Sequence, residues 1–389
     1  MSYFLPNPIK KCIETLENNG FEAYCVGGAV RDLIMGKTPY DYDITTSAMP
    51  EEIISCFDKT VPTGIKHGTV TVIIDNYNIE VTTYRSDGEY INHRQPETVN
   101  FVKNINEDLS RRDFTINAIC YNPKTNTLDL FSGQSDIKNK IIRTVGNPDV
   151  RFTEDALRIM RCFRFSCQLG FSIEENTLNS ALKLAKNLDK ISSERIYTEL
   201  KKILLSPTPS KLIPLINNGG FKKFGINNIS NEFILADSLP AALPLRTSFF
   251  CKTVGLHPNK LLTNLCFNND EKSDIISIYN ILDIPLPNSK TDIKKMLKDI
   301  SFENLKSYFK YRDILFNENC DNTLKLLTEI IEHNEPYKIS MLALNGDDLI
   351  AFGYKGKEIG ITLNEALDIV INNPKSNTKN QLLIKLNIK

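Results

Sequence analysis

The sequence predicts an α+β protein, with a small β-sheet and helices in a head of about 150 residues and an all-helical remainder. Three observations predict it. β-Branched runs bounded by turn residues read as strands before residue 150 and largely vanish after it. From "RFTEDALRIMRCFRF" onward helical periodicity dominates, broken by Pro and Gly near 207, 213, 219, 258 and 285–287. The 389 residues suggest two or three domains, with no internal repeat.

The elements follow in order. Residues 6–19 read as a helix with Ile9, Ile13 and Leu16 on one face, ended by Gly20. "FEAYCV" is a short strand entering two glycines, and "AVRDLIM" is a helix closed by Gly36. "DYDITTS" alternates and reads as a strand. "GTVTVIID" and "YNIEVTTYR" are strands joined by the turn "DNYN". Residues 86–100 lack periodicity and read as a mobile loop. "RRDFTINAICYN" reads as the start of a helix, and "TLDLFSG" as a return to the sheet.

Composition narrows the function classes. The 47 basic and 47 acidic residues cancel, so a nucleic-acid partner needs local basic patches rather than bulk attraction. The nine cysteines form no CxxC pair and are odd in number, which fits reduced thiols better than disulfides or zinc. The N-terminus lacks a signal-peptide core, and no stretch approaches the ~18 apolar residues of a membrane span. The expectation is a cytoplasmic protein with no membrane association.

The stretch "CVGGAVRDLIMGKTPYDYDITT" concentrates the chemistry. On a strand, Asp41 and Asp43 project to one face, about 6.6 Å apart along the chain. Two such carboxylates suit a hard cation, with magnesium the candidate. Two ions about 4 Å apart clamp the attacking and leaving oxygens of a phosphoryl transfer. Glu80, on another predicted strand, could bring a third carboxylate alongside. The plainer reading of a lone DxD is a solvated strand end. Gly27 and Gly28 stand between a strand and a helix, where free N–H groups suit phosphate oxygens, and Arg31 adds a donor. An isolated GG is more often only a tight turn. The combination describes a site for a nucleoside triphosphate attacked at its α-phosphate.

"GGAVRD" followed by "DYD" resembles the catalytic segment of the nucleotidyltransferase superfamily, and within it the class II tRNA nucleotidyltransferases (CCA-adding enzymes) and the related bacterial poly(A) polymerases. The resemblance continues through "TGIKHGTVTV", "IEVTTYRSDGEY", "EDLSRRDFTINAI", "DLFSGQSDIKNKIIRTVGNPDVRFTEDALRIMRCFRF" and "ERIYTELKKIL", covering most of residues 20–204. It implies a palm-like catalytic head at 1–148, a helical neck with a nucleotide-base template at 149–205, a helical body at 206–330 and a tRNA-binding tail at 331–389. It implies Mg²⁺ on Asp41 and Asp43, with Gly28, Arg31 and Arg112 on the nucleotide. Its neighbour Arg111 reads as structural. The same resemblance implies a homodimer.

"EDALRIMRCFR" places Asp155, Arg158, Arg161 and Arg164 at steps of three. On a helix each step turns by about −60°, so the first three share a face. The plain reading is an exposed ion-paired face. The reading implied by the resemblance is a base-reading edge. A carboxylate only accepts hydrogen bonds and a guanidinium only donates. Cytosine and adenine each set an exocyclic amine beside a ring-nitrogen acceptor; uracil and guanine set a carbonyl beside a ring N–H. One Asp155/Arg158 pair therefore takes C and A and leaves U and G with unpaired groups. Arg161 and Arg164 would extend the basic face.

The expected activity is addition of C, C and A to the 3′ end of tRNA from CTP and ATP, without a nucleic-acid template and with release of pyrophosphate. The alternatives are a CC-adding enzyme, a poly(A) polymerase and a non-catalytic RNA-binding relative. "TGIKHGTVTV" and the full-length loop after "TTYRSDGEY" favour the CCA-adding form, as does the distal segment "NGDDLIAFGYKGKEIGITLNEALDIVINN". There Gly353, Gly356 and Gly360 with Lys355 and Lys357 suit an RNA backbone. So does the end of the chain, with four lysines and no acid, although a solvated terminus reads the same. In the loop, Asn92 and Gln95 stand where the family commonly has Asp and His. None of His67, His93, His257 and His333 precedes an Asp, so an HD phosphohydrolase domain is not indicated.

Overall fold

Helix α1, Asn7–Asn18, buries Ile9, Cys12, Ile13 and Leu16 on the face its periodicity sets. Gly20 then reverses the chain at φ +88°, a value that favours glycine. β1 (Ala23–Val26) follows, then α2 (Gly28–Ile34), β2 (Asp43–Thr46) and α3 (Pro50–Cys56). β3 (Thr60–Gly64), β4 (Thr69–Ile74) and β5 (Tyr77–Thr83) complete the first half of the sheet. The β4–β5 turn is made by Asp75 and Asn76, both at positive φ, as short polar residues tolerate best in a two-residue hairpin. The computed structural model describes residues 3–87, 90–91, 95–96 and 99–388.

Two stretches differ from the sequence reading. Within 86–100, the described backbone of β6 (Arg85–Asp87) pairs antiparallel with β9 (Val99–Phe101), and that of β7 (Tyr90–Ile91) with β8 (Gln95–Pro96). The Val102 N–H donates to the Tyr84 carbonyl at 2.9 Å, tying both ends of this excursion together. Asn92 and the Gln95 side chain lie outside the described residues.

The second difference is at 111–122, where no α-helix starts. The helix precedes it as α4 (Ile105–Ser110), with Arg111 as its last cap; a single 3₁₀ turn spans Thr115–Asn117; and β10 (Ile119–Asn122) is a strand. The reason is position in the sheet. β10 lies between β1 and β11 (Asn126–Asp129), and all four of its residues are buried. A short buried strand shows no period-2 alternation and mimics a helix start.

The seven strands run in the order β11-β10-β1-β2-β5-β4-β3. Only the β2–β5 pair is parallel. It sets Asp43 opposite Glu80, while β1 sets Val26 opposite Asp43. α5 (Gly133–Asn139) packs beside the Thr115–Asn117 turn. A Cβ on Gly133 would come within 2.2 Å of the Thr115 carbonyl, so glycine alone permits that approach. β12 (Ile141–Ile142) pairs parallel with β13 (Ser172–Ile173).

The helices of α6 (Pro148–Glu154), α7 (Leu157–Leu169), α8 (Glu175–Lys183), α9 (Ser193–Leu204) and α10 (Ile213–Asn217) complete a compact unit spanning Met1–Ile229. Its centre is α7, which buries Ile159, Met160, Cys162 and Phe163. Each such side chain contributes about 1.5–3 kcal/mol of transfer free energy.

A second unit, Ser230–Lys389, contains α11 (Leu243–Thr253), α12 (Pro258–Asn264), α13 (Asn269–Ile281), α14 (Lys290–Leu297), α15 (Phe302–Phe316), α16 (Asp321–Glu332), α17 (Gly346–Ala351), α18 (Lys357–Asn372) and α19 (Lys379–Lys385). Leu344, Leu349, Leu363, Ala366, Val370 and Leu382 form a small core near its end. All nine cysteines are free thiols. Among the described residues, no helix is long and apolar enough to cross a membrane.

Candidate active site

The turn between β1 and α2 is set by Gly27, at φ +75° and ψ −133°. A Cβ there would sit 3.6 Å from Arg112 Nη1, and one on Gly28 would sit 3.6 Å from Arg31 Nη2. The two glycines therefore bring backbone and guanidinium groups to one place. Arg31 Nε and Nη2 donate to Asp32 Oδ1 at 2.9 and 2.8 Å, and Nη1 donates to Asn117 Oδ1 at 2.9 Å.

Asp43 opens β2; Asp41 lies just before the strand. The pattern at 41–43 is nonetheless exposed, buried, exposed, so the two carboxylates share a side and Tyr42 points inward. The Asp43 carboxyl is pushed up to about 6, by partial burial first and then by the Asp41 and Glu80 charges, with Arg112 opposing. Carboxylates that repel in this way form a donor set suited to a hard cation. Among the described residues no group of three or more His, Cys, Asp or Glu holds an ion alone. Magnesium commonly takes one or two carboxylates and completes its shell with water and substrate phosphate, so the pair fits it.

Behind this edge lies Asp108, whose side chain is fully buried. It pairs with Arg111 Nη2 at 2.6 Å and Arg112 Nη2 at 2.9 Å. Burial alone would raise its carboxyl, but the Arg112 and Arg111 guanidiniums hold it below the usual range. Arg112 Nε is buried with no partner among the described residues. Arg111 also donates to the Arg85 carbonyl at 2.9 Å. Arg111 thus braces α4 against β6, while Arg112 stands at the glycine turn.

The Asp155 region differs from the sequence reading. Asp155 is not on the α7 helix, because α6 ends there with φ −131° and ψ 105°. Its Oδ1 accepts from the Leu157 N–H at 3.0 Å, a local bond that competes with helix continuation. Its Oδ2 accepts from Arg195 at 2.9 Å. Arg158 donates to Glu154 at 2.6 Å and to the Arg111 carbonyl at 3.1 Å. The face is not the exposed one of the plain reading: Arg158 and Arg164 are each 8 % exposed. Arg161 Nε donates to Asp113 Oδ2 at 2.7 Å, and Arg164 Nε to Glu199 Oε2 at 2.5 Å.

The structure thus brings Gly28, Arg31, Asp43, Glu80 and Arg112 around the β1–β2 edge. Sequence reasoning missed Asp108, Asp113, Glu154, Arg195 and Glu199, each the counterion of a candidate arginine or aspartate. Asp108 and Glu154 carried a local signal, each four residues before its arginine, Arg112 and Arg158; the other three pair across 35 or more positions.

Residues 23–143 match the family described as Poly A polymerase head domain, and residues 170–222 that described as Probable RNA and SrmB- binding site of polymerase A. A CCA-adding enzyme of Staphylococcus epidermidis is 36% identical, covering 98% of this chain and 98% of that one. The chain belongs to the CCA-adding enzyme family. It is a nucleotidyltransferase of α+β fold. The solved CCA-adding enzyme of Bacillus stearothermophilus, in complex with CTP, superposes with a TM-score of 0.84 at 30% identity, over 98% of this chain and 97% of that one. The Thermotoga maritima CCA-adding enzyme, solved with tRNA, shares the fold at a TM-score of 0.64 and 20% identity, over 98% and 94% of the two chains. In the family frame, the β1–β2 edge falls within the matched head and α8 and α9 within the second matched region.

Proposed function

We propose that this chain adds C, C and A to the 3′ end of tRNA, using CTP and ATP and its own side chains as template. The observation that carries the reading is Asp43: a carboxylate set opposite Glu80 and beside Asp41, next to the glycine turn that meets Arg31 and Arg112. Charge repulsion there asks for a cation, and the guanidiniums ask for phosphate.

Asp41 and Asp43 would hold magnesium, which when bound would supply Lewis-acid activation of the attacking hydroxyl and neutralise phosphate charge. Gly28 leaves room for the triphosphate against the backbone. Arg31 exchanges part of its pairing with Asp32 and Asn117 for phosphate oxygens. Arg112, fixed by Asp108, lies on the other side. The tRNA 3′ hydroxyl gives up its proton to solvent, its oxygen bonds to the α-phosphorus, the bond to the bridging oxygen breaks, and pyrophosphate leaves. Positioning of the two reactants supplies much of the rate.

Asp155 and Arg158 read the base edge. Each is already oriented, Asp155 by Arg195 and the Leu157 N–H, Arg158 by Glu154 and the Arg111 carbonyl. A carboxylate has about four lone-pair sites and a guanidinium five N–H donors, so orientation and base contact are compatible. Arg161 and Arg164 extend the basic side. The chain divides functionally into head 1–148, neck 149–205, body 206–330 and tail 331–389, with the tail on the tRNA. On this reading the enzyme works in the cytoplasm alongside its tRNA substrate.

The test is Asp41→Ala. Asp41 is exposed, so the variant should keep the wild-type circular dichroism and melting temperature while transfer from CTP falls by at least about three orders of magnitude. Full transfer by the folded variant would sink the metal assignment.

A further inference from the structure

The ring of Phe165 is surrounded by cations. The guanidinium carbon of Arg164 lies 4.0 Å from its centroid, and those of Arg161 and Arg31 each lie 5.4 Å away. Arg161 is one turn earlier on α7, and Arg164 is the neighbouring residue. Arg31 comes from α2, on the other side of the glycine turn. Phe165 is only 6% exposed, and Phe114 packs edge-to-face with it at 5.7 Å between ring centroids. The ring is therefore fixed, and its face is presented to the arginines.

A second route joins the same two arginines. Arg31 donates to Asn117 at 2.9 Å, Asn117 Nδ2 donates to Asp113 Oδ1 at 3.2 Å, and Asp113 Oδ2 accepts from Arg161 at 2.7 Å. The contacts close into a ring: Arg31, Asn117, Asp113, Arg161, Phe165 and back to Arg31. All of it lies within the first compact unit. Its polar members are almost all paired through charge-assisted bonds, which hold geometry better than neutral ones. The aromatic face adds cation–π attraction that desolvation strengthens.

We propose that Phe165 is a positioning residue that holds Arg31 of α2 and Arg161 of α7 in one closed network, so that the triphosphate end and the base end of a single bound nucleotide are set together. Phe165 touches no substrate in this account. It acts through the guanidiniums. The proposal rests on the reading of Arg31 and Arg161 as nucleotide-binding. A leucine at 165 keeps apolar bulk but has no quadrupole to hold a cation.

The test uses the full-length enzyme with CTP, a tRNA transcript lacking CCA and four variants: Phe165→Leu, Phe165→Tyr, Arg31→Ala and the Phe165→Leu/Arg31→Ala double variant. Melting temperatures fix an assay temperature at which all four are folded. Phe165→Leu is expected to raise KM for CTP roughly tenfold with a much smaller change in kcat. Phe165→Tyr, which keeps the aromatic face, should restore the wild-type KM. In the Arg31→Ala background, Phe165→Leu should add several-fold less than it does alone. An unchanged KM in Phe165→Leu, or strictly multiplicative effects in the double variant, would overturn the proposal while leaving the nucleotide-binding reading intact. An unchanged KM in Arg31→Ala would instead overturn that reading, and the proposal with it.

Discussion

Asp43 links the protein's charge to its chemistry. Its carboxyl is raised to about 6 by partial burial and by Asp41 and Glu80. A raised folded value means the native state holds a proton that the unfolded state has already lost above pH ~4. Stability therefore falls as pH rises from about 4 through about 6. In EDTA, Asp43→Asn should raise the melting temperature at pH 7.5 and leave it unchanged at pH 4. Magnesium should erase that gain by stabilising the ionised wild type. Scanning calorimetry of both proteins checks the sign. At the same scale, Arg158→Ala should admit UTP, because the donor that matches a ring-nitrogen acceptor is gone. CTP-over-UTP selectivity should drop by about tenfold or more. Unchanged selectivity would remove Arg158 from the template. Asp41, Asp43, Arg31 and Arg112 were legible as residues because short spacing and charge type carry their signal. The counterions of the α7 arginines were not: Asp113 meets Arg161 across 48 positions, and Arg164 meets Glu199 across 35. No local pattern encodes such pairs.

At the scale of elements, α4 shows how charge fixes a site. Asp108 anchors Arg111 at i+3 and Arg112 at i+4 from a side chain with no solvent exposure. Asp108→Ala takes the carboxylate from two partly buried arginines and should lower stability by up to about 3 kcal/mol in urea melts. Asp108→Asn keeps the shape and should lose less. The strands around the site were legible wherever turn chemistry marked them, as at Asp75–Asn76 between β4 and β5. β10 was not, since its four buried residues show no alternation and follow a helix-like "EDLSRR". Asp155 was misplaced on α7 for a related reason. Periodicity runs through "FTEDALRIM" without a Gly or Pro, and only the Asp155 bond to the Leu157 N–H marks the break.

The whole chain joins a head built on a seven-stranded sheet to a long helical remainder. The change near residue 150 was legible, because strand patterns stop there apart from the two-residue β13. The division into Met1–Ile229 and Ser230–Lys389 was not, because it depends on packing among helices of similar composition. Near the end of the chain, Gly353 and Gly356 adopt φ of +91° and +53°, which set Lys355 in the turn before α18 and Lys357 at the first residue of that helix. If these lysines meet RNA phosphates, replacing both with Gln should raise KM for tRNA and leave KM for CTP unchanged. The log–log salt slope of tRNA binding should fall by about one to two units.

The central claim is that protein side chains alone direct ordered addition of C, C and A. The most direct measurement uses three tRNA transcripts ending before CCA, after C and after CC. Each is incubated with Mg²⁺ and CTP, ATP, both, or UTP, and products are resolved to single nucleotides. With both nucleotides, all three should stop at CCA, and UTP should not be incorporated. Arrest at CC, long A tails, or no addition would each contradict the account.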